Sequence, residues 1–454
     1  MKRMRTALAA CAALSAMLAI AAPASAKTSF KRVFTLGVGS YANDALARTP
    51  DGKLHVIFQT TTGSSPVSTG LATRVVSASG ALSGPVQALS GWAAGIPGLT
   101  VMPGGGLLAA FGAISPNNVP ALWTIGSSDG GQTWSTPAQA YSPVTQAYGA
   151  NLNAQTLNGV PALTLAVSGG ITTQLGITAN APASLLTDSS DDSAADVNSA
   201  IDGASGAVVV SWSSLANAGG DYIRQAASSL GAPAKVPGLQ RNEVQISGRS
   251  GGAAGVYAPY TLNGTGVRLF RYGGGGVAVG SLKGVNASVL GIAPAPRGRL
   301  WVMWGDDNGV AVTRSNMAVT RFERIQQLKP GSATLFRVYG DGQLGPLDMF
   351  ADQLPASNVH APGGYYARVL PLLTVTRSVK ALYNKKGAIV GHTARIRVTD
   401  AGDDVKGAKV KLDGKSATTG KQGTVQFGFG PGGGSVSLEV TAATYQAYAS
   451  QFKL

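Results

Sequence analysis

Cysteine is all but missing, since Cys11 is the only one in 454 residues. Once the apolar N-terminal stretch that holds it is removed, the chain has no disulfide, no zinc-thiolate cluster and no cysteine nucleophile. Histidine is nearly as scarce. His55, His360 and His392 are scattered and lack the His-Glu-x-x-His spacing of zinc hydrolases, so that chemistry is excluded. Charged residues make up 13% of the chain against 44% hydrophobic, too apolar a balance for a disordered protein, while 62 Gly and 23 Pro mark it as rich in turns. After residue 22 no apolar run reaches the roughly 18 residues that span a bilayer as a helix. The glycine runs at 273–276 and 432–434 lack a following Lys-Ser/Thr and helix, and read as turns instead of phosphate cradles. The acidic stretch 188–196 lacks the Gly and the closing Glu of an EF-hand loop. No cofactor and no metal are therefore expected.

What is present begins with Lys2, Arg3 and Arg5, an apolar run over 7–22, then Pro23 and Ala24-Ser25-Ala26. Residues 1–26 thus read as a secretory signal peptide, and the mature chain is expected outside the cell or at its envelope. A lipoprotein signal at Cys11 is the rival reading, but only about five residues separate Arg5 from it, too few for an apolar segment. The formal charge of +15 is unevenly spread. Residues 368–454 hold 13 Lys and Arg against 5 Asp and Glu, a net +8, which leaves +4 on residues 27–367. A secreted basic segment suits anionic cell-wall polymers, acidic glycans or lipid head groups better than nucleic acid.

The body repeats. Pro50, Pro103 and Pro296 align without gaps, as do Gly52, Gly105 and Gly298, then Leu54, Leu107 and Leu300, then Phe58, Phe111 and Trp304. Each copy reads as strand, Pro-x-Gly turn, strand, because Pro pre-sets one turn dihedral and Gly supplies positive φ. Weaker copies at Gly159, Gly206 and Gly252 make six units, spaced by 46 to 54 residues. That is the period of a four-stranded propeller blade. The last unit runs on to Phe350, and residues 30–36 are available to close the ring. The expectation is all-β: a six-bladed β-propeller over 27–366 followed by a small Ig-like β-sandwich over 370–454.

In the second unit Ser127, Asp129, Gly131, Thr133 and Trp134 satisfy the pattern Ser-x-Asp-x-Gly-x-Thr-Trp. The chain here resembles the Asp-box, or BNR-repeat, sialidase-like propellers. The resemblance implies a structural hairpin between outer strands, in which Asp129 binds turn amides and Trp134 packs beneath. A decayed copy spans 315–321. The family's first substrate-binding arginine would fall at position 42, which is Ala42, and the two glutamates of the body, Glu243 and Glu323, are not evidently paired with a nucleophilic Tyr. Losing a charge-assisted grip on a carboxylate argues against sialic acid as substrate. Arg224, Arg241, Arg268, Arg271 and Arg314 remain as candidate anion-binding residues.

Beyond residue 370 period-two alternation and turns at 400–403, 413–414 and 430–433 predict a sandwich. This segment resembles bacterial Ig-like modules of the invasin and carboxypeptidase-regulatory type, which implies a spacer or adhesive appendage. Arg395, Arg397, Lys409 and Lys411 point outward from its strands and are expected to gather positive charge on one sheet face for an anionic polymer. The function expected is noncatalytic binding of a cell-surface or extracellular glycan or protein, without nucleic acid. The alternative is a diverged glycoside hydrolase or lyase, in which Asp44 and Asp196 would face the channel as the carboxyl pair.

Overall fold

The computed structural model describes residues 30–35, 44–61, 68–141, 147–153, 161–167, 170–175, 184–188, 194–214, 220–227, 232–238, 245–262, 265–273, 281–287, 289–306, 309–329, 334–354 and 363–454. Residues 1–26 with Cys11, and Ala42, Gly159, Arg241, Glu243 and His360, lie outside them. Among the described residues the regular structure is all strand, apart from a 3₁₀ turn at Pro296–Gly298.

Before residue 370 the described strands form seven small antiparallel sheets, each of four strands apart from the second, which has five. The first comprises Asp44–Arg48, Leu54–Thr61, Ser68–Val76 and Val86–Ser90, and the others follow along the chain. Their innermost strands are Asp44–Arg48, Gly98–Val101, Ala147–Asn153, Ala194–Ile201, Ser247–Gly248, Val289–Ala295 and Thr334–Asp341. Each packs on the next and the last returns to the first, so the sheets stand around a common hub. Sheets covered on both faces need strands that are apolar throughout. Val208–Ser214 and Val256–Leu262 are accordingly buried along almost their whole length.

The expectation of six units is corrected to seven. Residues 334–354, read as the end of the sixth unit, form three-quarters of a sheet of their own with Gly363–Val369, and Lys31–Thr35 supplies its outermost strand. The pairing is antiparallel, Lys31 facing Tyr366 and Thr35 facing Gly363. The N-terminal strand therefore closes the ring, as residues 30–36 lead one to expect.

The tail is a sandwich. Thr374–Tyr383, Ile389–Asp400, Asp403–Asp404 and Thr424–Phe429 form one four-stranded sheet, and Lys415–Thr418, Lys409–Leu412, Ser435–Thr441 and Tyr448–Lys453 the other. Ala394, Ile396, Val398, Val410, Leu412, Leu438 and Val440 fill the space between them. One expectation fails here. Arg395 and Arg397 lie on the first sheet and Lys409 and Lys411 on the second, so their outward side chains leave from opposite faces of the sandwich. Lys411 also faces Glu439 across its ladder.

A buried ion cluster joins tail to ring. The two-residue turn at Ala401 (φ +48°) and Gly402 (φ +97°) presents Asp400 and Asp403 to the sixth sheet. Arg314 Nη2 donates to Asp400 Oδ2 at 2.7 Å and Arg299 Nη2 to Asp403 Oδ2 at 2.7 Å. Tyr445 Oη adds a 2.8 Å bond to Asp400, and its ring lies 5.2 Å from the Arg314 guanidinium. Arg314, a candidate anion-binding residue, is thus buried and ion-paired within the protein. Beside it Glu323 accepts from the Leu372 amide at 2.9 Å, and burial pushes its carboxyl up to about 8. Removing one member of a buried pair strands its partner, which costs about 3–5 kcal/mol. Asp400→Ala is therefore expected to lower unfolding free energy by about that much in guanidinium titration. Lys53→Ala, which breaks only an exposed ion pair with Asp51, is the control and should leave the midpoint unchanged.

Candidate functional site

The turns that repeat along the chain determine what the hub looks like. In the first, the Thr49 amide donates to Lys53 O and the Gly52 amide to Thr49 O, both at 2.9 Å, with Gly52 at φ +84°. Gly105, Gly206, Gly252 and Gly298 hold φ between +71° and +88° at matching places. Each turn ends an innermost strand, so six of those strands deliver their last residues to one cavity of about 710 Å³.

The polar groups on this cavity are mostly spoken for. Arg48 donates to Asp341 Oδ1 at 2.5 Å, to Asp348 Oδ2 at 2.7 Å and to Gly52 O at 2.9 Å. Arg249 is spent on the carbonyls of Gly298 at 2.7 Å, Ala254 at 3.2 Å and Met317. Asp202 is buried in part, yet the amides of Ala204 and Gly255 outweigh that and hold its carboxyl below the usual range. Charge is therefore balanced inside the cavity. One group differs: Thr100, 1% exposed, has no hydrogen-bond partner for Oγ1 among the described residues. Its hydroxyl has no surface open to solvent, so Thr100 presents no unpaired polar group to a ligand in the cavity.

Asp44 and Asp196 are not in this cavity. Each lies near the start of its inner strand, whereas the cavity lies where those strands end. Asp44 has no exposed side-chain surface and is held by Arg337 and by the Tyr339 hydroxyl, while Arg337 Nε also reaches Asp352 at 3.0 Å. A carboxylate so enclosed closes the ring between its first and last inner strands and does not reach a substrate. Asp196 is half-buried at φ +51° in a β-bulge, and burial together with Asp221 raises its pKa. The expected pairing of Asp44 with Asp196 is corrected to these separate surroundings.

The hairpin after Ser127 has the bonds its residues suggest. Asp129 Oδ1 accepts from the amides of Gln132 and Thr133 at 3.0 Å and from Ser127 Oγ at 2.8 Å, and Thr133 Oγ1 donates to Oδ2 at 2.6 Å. Gly131 then packs on the imidazole of His55, and Trp134 joins the neighbouring apolar cluster. At the decayed copy Asn316 Oδ1 accepts from the amides of Thr320 at 2.8 Å and Arg321 at 3.1 Å, which keeps the same turn. On the tail, Arg377, Arg395, Arg397, Asp404 and Thr424 line a groove of about 530 Å³. Arg397 is paired with Asp404 at 2.9 Å, whereas Arg395 is exposed and makes no ion pair among the described residues. Arg48, Thr100 and Asp341 were not singled out in the sequence; the position of Arg48 just ahead of the Pro-x-Gly turn was the available signal.

No protein-family model matches the chain, and no curated protein matches it. Its structural neighbours are β-propeller proteins. The Dos1 propeller is 10% identical, with a TM-score of 0.46 over 76% of this chain and 94% of that one. A Hadza microbial sialidase is 12% identical, with a TM-score of 0.41 over 73% of this chain and 66% of that one. An α-L-arabinofuranosidase from Fusarium graminearum is 10% identical, with a TM-score of 0.42 over 76% and 98%.

His55 offers a test of the packing around this hairpin. It is buried, with Nε2 3.2 Å from Thr49 Oγ1, and burial lowers its pKa although Asp51 opposes the shift. The unfolded chain therefore binds the proton more tightly, and stability held above about pH 6.5 is lost as pH falls through the folded value. Thermal melts between pH 7.5 and 5 should show this fall in the wild type and a shallower one in His55→Gln. Parallel profiles would remove His55 as the cause.

Proposed function

We propose that the protein is a secreted, noncatalytic binding protein. In this reading a sialidase-like propeller of Asp-box type recognises a glycan, or a protein that displays one, at its hub, and an Ig-like tail holds it at the envelope. The observation that carries the reading is the cavity where six inner strands end, with its charged side chains bonded within the protein. Its ionised groups already neutralise one another, which suits an uncharged, hydroxyl-rich ligand better than sialic acid. Asp202 and Asp341 are each committed to partners within the protein, so neither stands ready as nucleophile or acid. Residues 1–26 and the lack of any later cysteine support export.

A second reading has its own support. Asp196 has a left-handed backbone, rare outside glycine, and a pKa raised by burial and by the neighbouring Asp221, the direction that suits a general acid. In that case the chain is a diverged glycoside hydrolase or lyase.

A glycan array probed with residues 27–454 separates the two. Binding without turnover is expected, and Gln343→Ala, which removes an exposed amide side chain that lines the cavity, should weaken it by about five- to tenfold, the worth of one hydrogen bond. Turnover of any glycoside that disappears in Asp196→Asn would replace the first reading with the second. For the tail, retention on isolated cell walls should fall as sodium chloride rises and the Debye length shrinks from about 10 Å at 0.1 M to about 3 Å at 1 M. Arg395→Ser with Arg397→Ser should show that loss already at low salt. Equal retention of both proteins would leave the tail as a spacer.

A further inference from the structure

The hairpin that joins Thr374–Tyr383 to Ile389–Asp400 outruns its own sheet. On one side the neighbouring strand ends where Phe429 faces His392, and beyond that point the two strands continue alone as a ribbon. Its tip is apolar. Leu382, Tyr383, Ile389 and Val390 are 48%, 64%, 44% and 50% exposed, four of the nine large hydrophobic side chains so exposed among the described residues. Their concentration within nine positions makes a patch of what would otherwise be ordinary scatter. The turn between them is firmly built: the Asn384 amide donates to Ala388 O at 2.9 Å, and Asn384 Oδ1 accepts from the amides of Lys386 and Ala388 at 2.9 and 3.0 Å. The patch is thus presented on a preformed support, whereas a two-stranded ribbon without a covering layer gains little stability in water.

Charge selects the partner. Lys380, Lys385 and Lys386 are exposed around the apolar tip, and no carboxylate lies between Thr374 and Thr399. A second copy would bring the same lysines face to face, which opposes self-association. An apolar point ringed by cations matches a surface that is anionic outside and hydrocarbon within. We propose that this hairpin docks into the interface of an anionic lipid bilayer, with Leu382, Ile389 and Val390 among the upper acyl chains, Tyr383 at head-group depth and the three lysines on phosphates. The inference rests on the tail as the envelope-facing module and names its partner.

Residues 27–454 should sediment with vesicles of phosphatidylcholine and phosphatidylglycerol and much less with phosphatidylcholine alone. Leu382→Ser with Tyr383→Ser should weaken that binding by about tenfold or more, the effect expected from taking two large apolar groups out of the contact. Both side chains are exposed, so the melting temperature is expected to stay unchanged. Because these residues contain no cysteine, Ala388→Cys carries a single environment-sensitive fluorophore, whose emission should shift to the blue on adding anionic vesicles. Equal sedimentation of wild type and the double variant overturns the proposal. So does a dimer, seen by sedimentation velocity without lipid and abolished by the double variant, if vesicles are not bound. Cell-wall retention that depends on Arg395 and Arg397 but not on the hairpin overturns this inference alone and leaves the proposed role of the tail standing.

Discussion

Closure of the ring is the constraint on which the remaining structure depends. Seven sheets around a hub make a continuous core only if the last packs on the first, and the chain achieves this by returning its N-terminal strand to the outer edge of the final sheet. The seam is held at both ends by buried ions. Asp44, Arg337 and Tyr339 occupy one end of the first inner strand, and Arg48 with Asp341 and Asp348 the other. Burial of these charges is costly in isolation and tolerable because each meets its opposite. The cavity lies where six of the inner strands end, so its shape follows from the seam as much as from the residues that line it.

Much of this order is legible along the chain, and the exceptions have physical causes. A turn that needs positive φ can be read from glycine, and Gly52, Gly105, Gly206, Gly252 and Gly298 all occupy that region. The seventh turn also has its glycine: Gly345, at φ +105°, precedes Leu347 as Gly298 precedes Leu300, and both leucines are fully buried. It is harder to read because no proline stands two places before it. Asp44 is misread from sequence because an acidic residue at the mouth of an inner strand looks the same whether it meets a substrate or an arginine from the far end of the chain. Likewise, alternation shows that Arg395, Arg397, Lys409 and Lys411 point outward, but which sheet each strand joins is decided by long-range pairing.

The junction with the tail uses one local geometry for a second purpose. In the second sheet the hairpin after Ser127 is closed by its own Asp129. In the sixth, Asn316 keeps the turn, Arg314 takes the place corresponding to Ser127, and the Met317 amide donates to a carboxylate from outside, Asp403 Oδ2, at 2.8 Å. With no carboxylate of its own at that place, the hairpin leaves donors that the tail's Asp400 and Asp403 fill. Arg314 lies between Trp301 and Tyr445 as well, so the contact has the aromatic cover that keeps water from a buried pair.

The position of the closing strand has a consequence for synthesis. Lys31–Thr35 is made before any of the sheets, yet its partner Gly363–Val369 is among the last strands of the ring to be completed. Throughout elongation the early strand stays unpaired, because the strand that receives it is still unmade. Such distant pairing delays folding and leaves time for misassociation with other chains. Lys31 and Arg32, both exposed at the head of the waiting strand, give it a charged guard of the kind that blunts free edges. Two cations with no partner in the ion clusters of the finished ring thus protect it chiefly while it is incomplete.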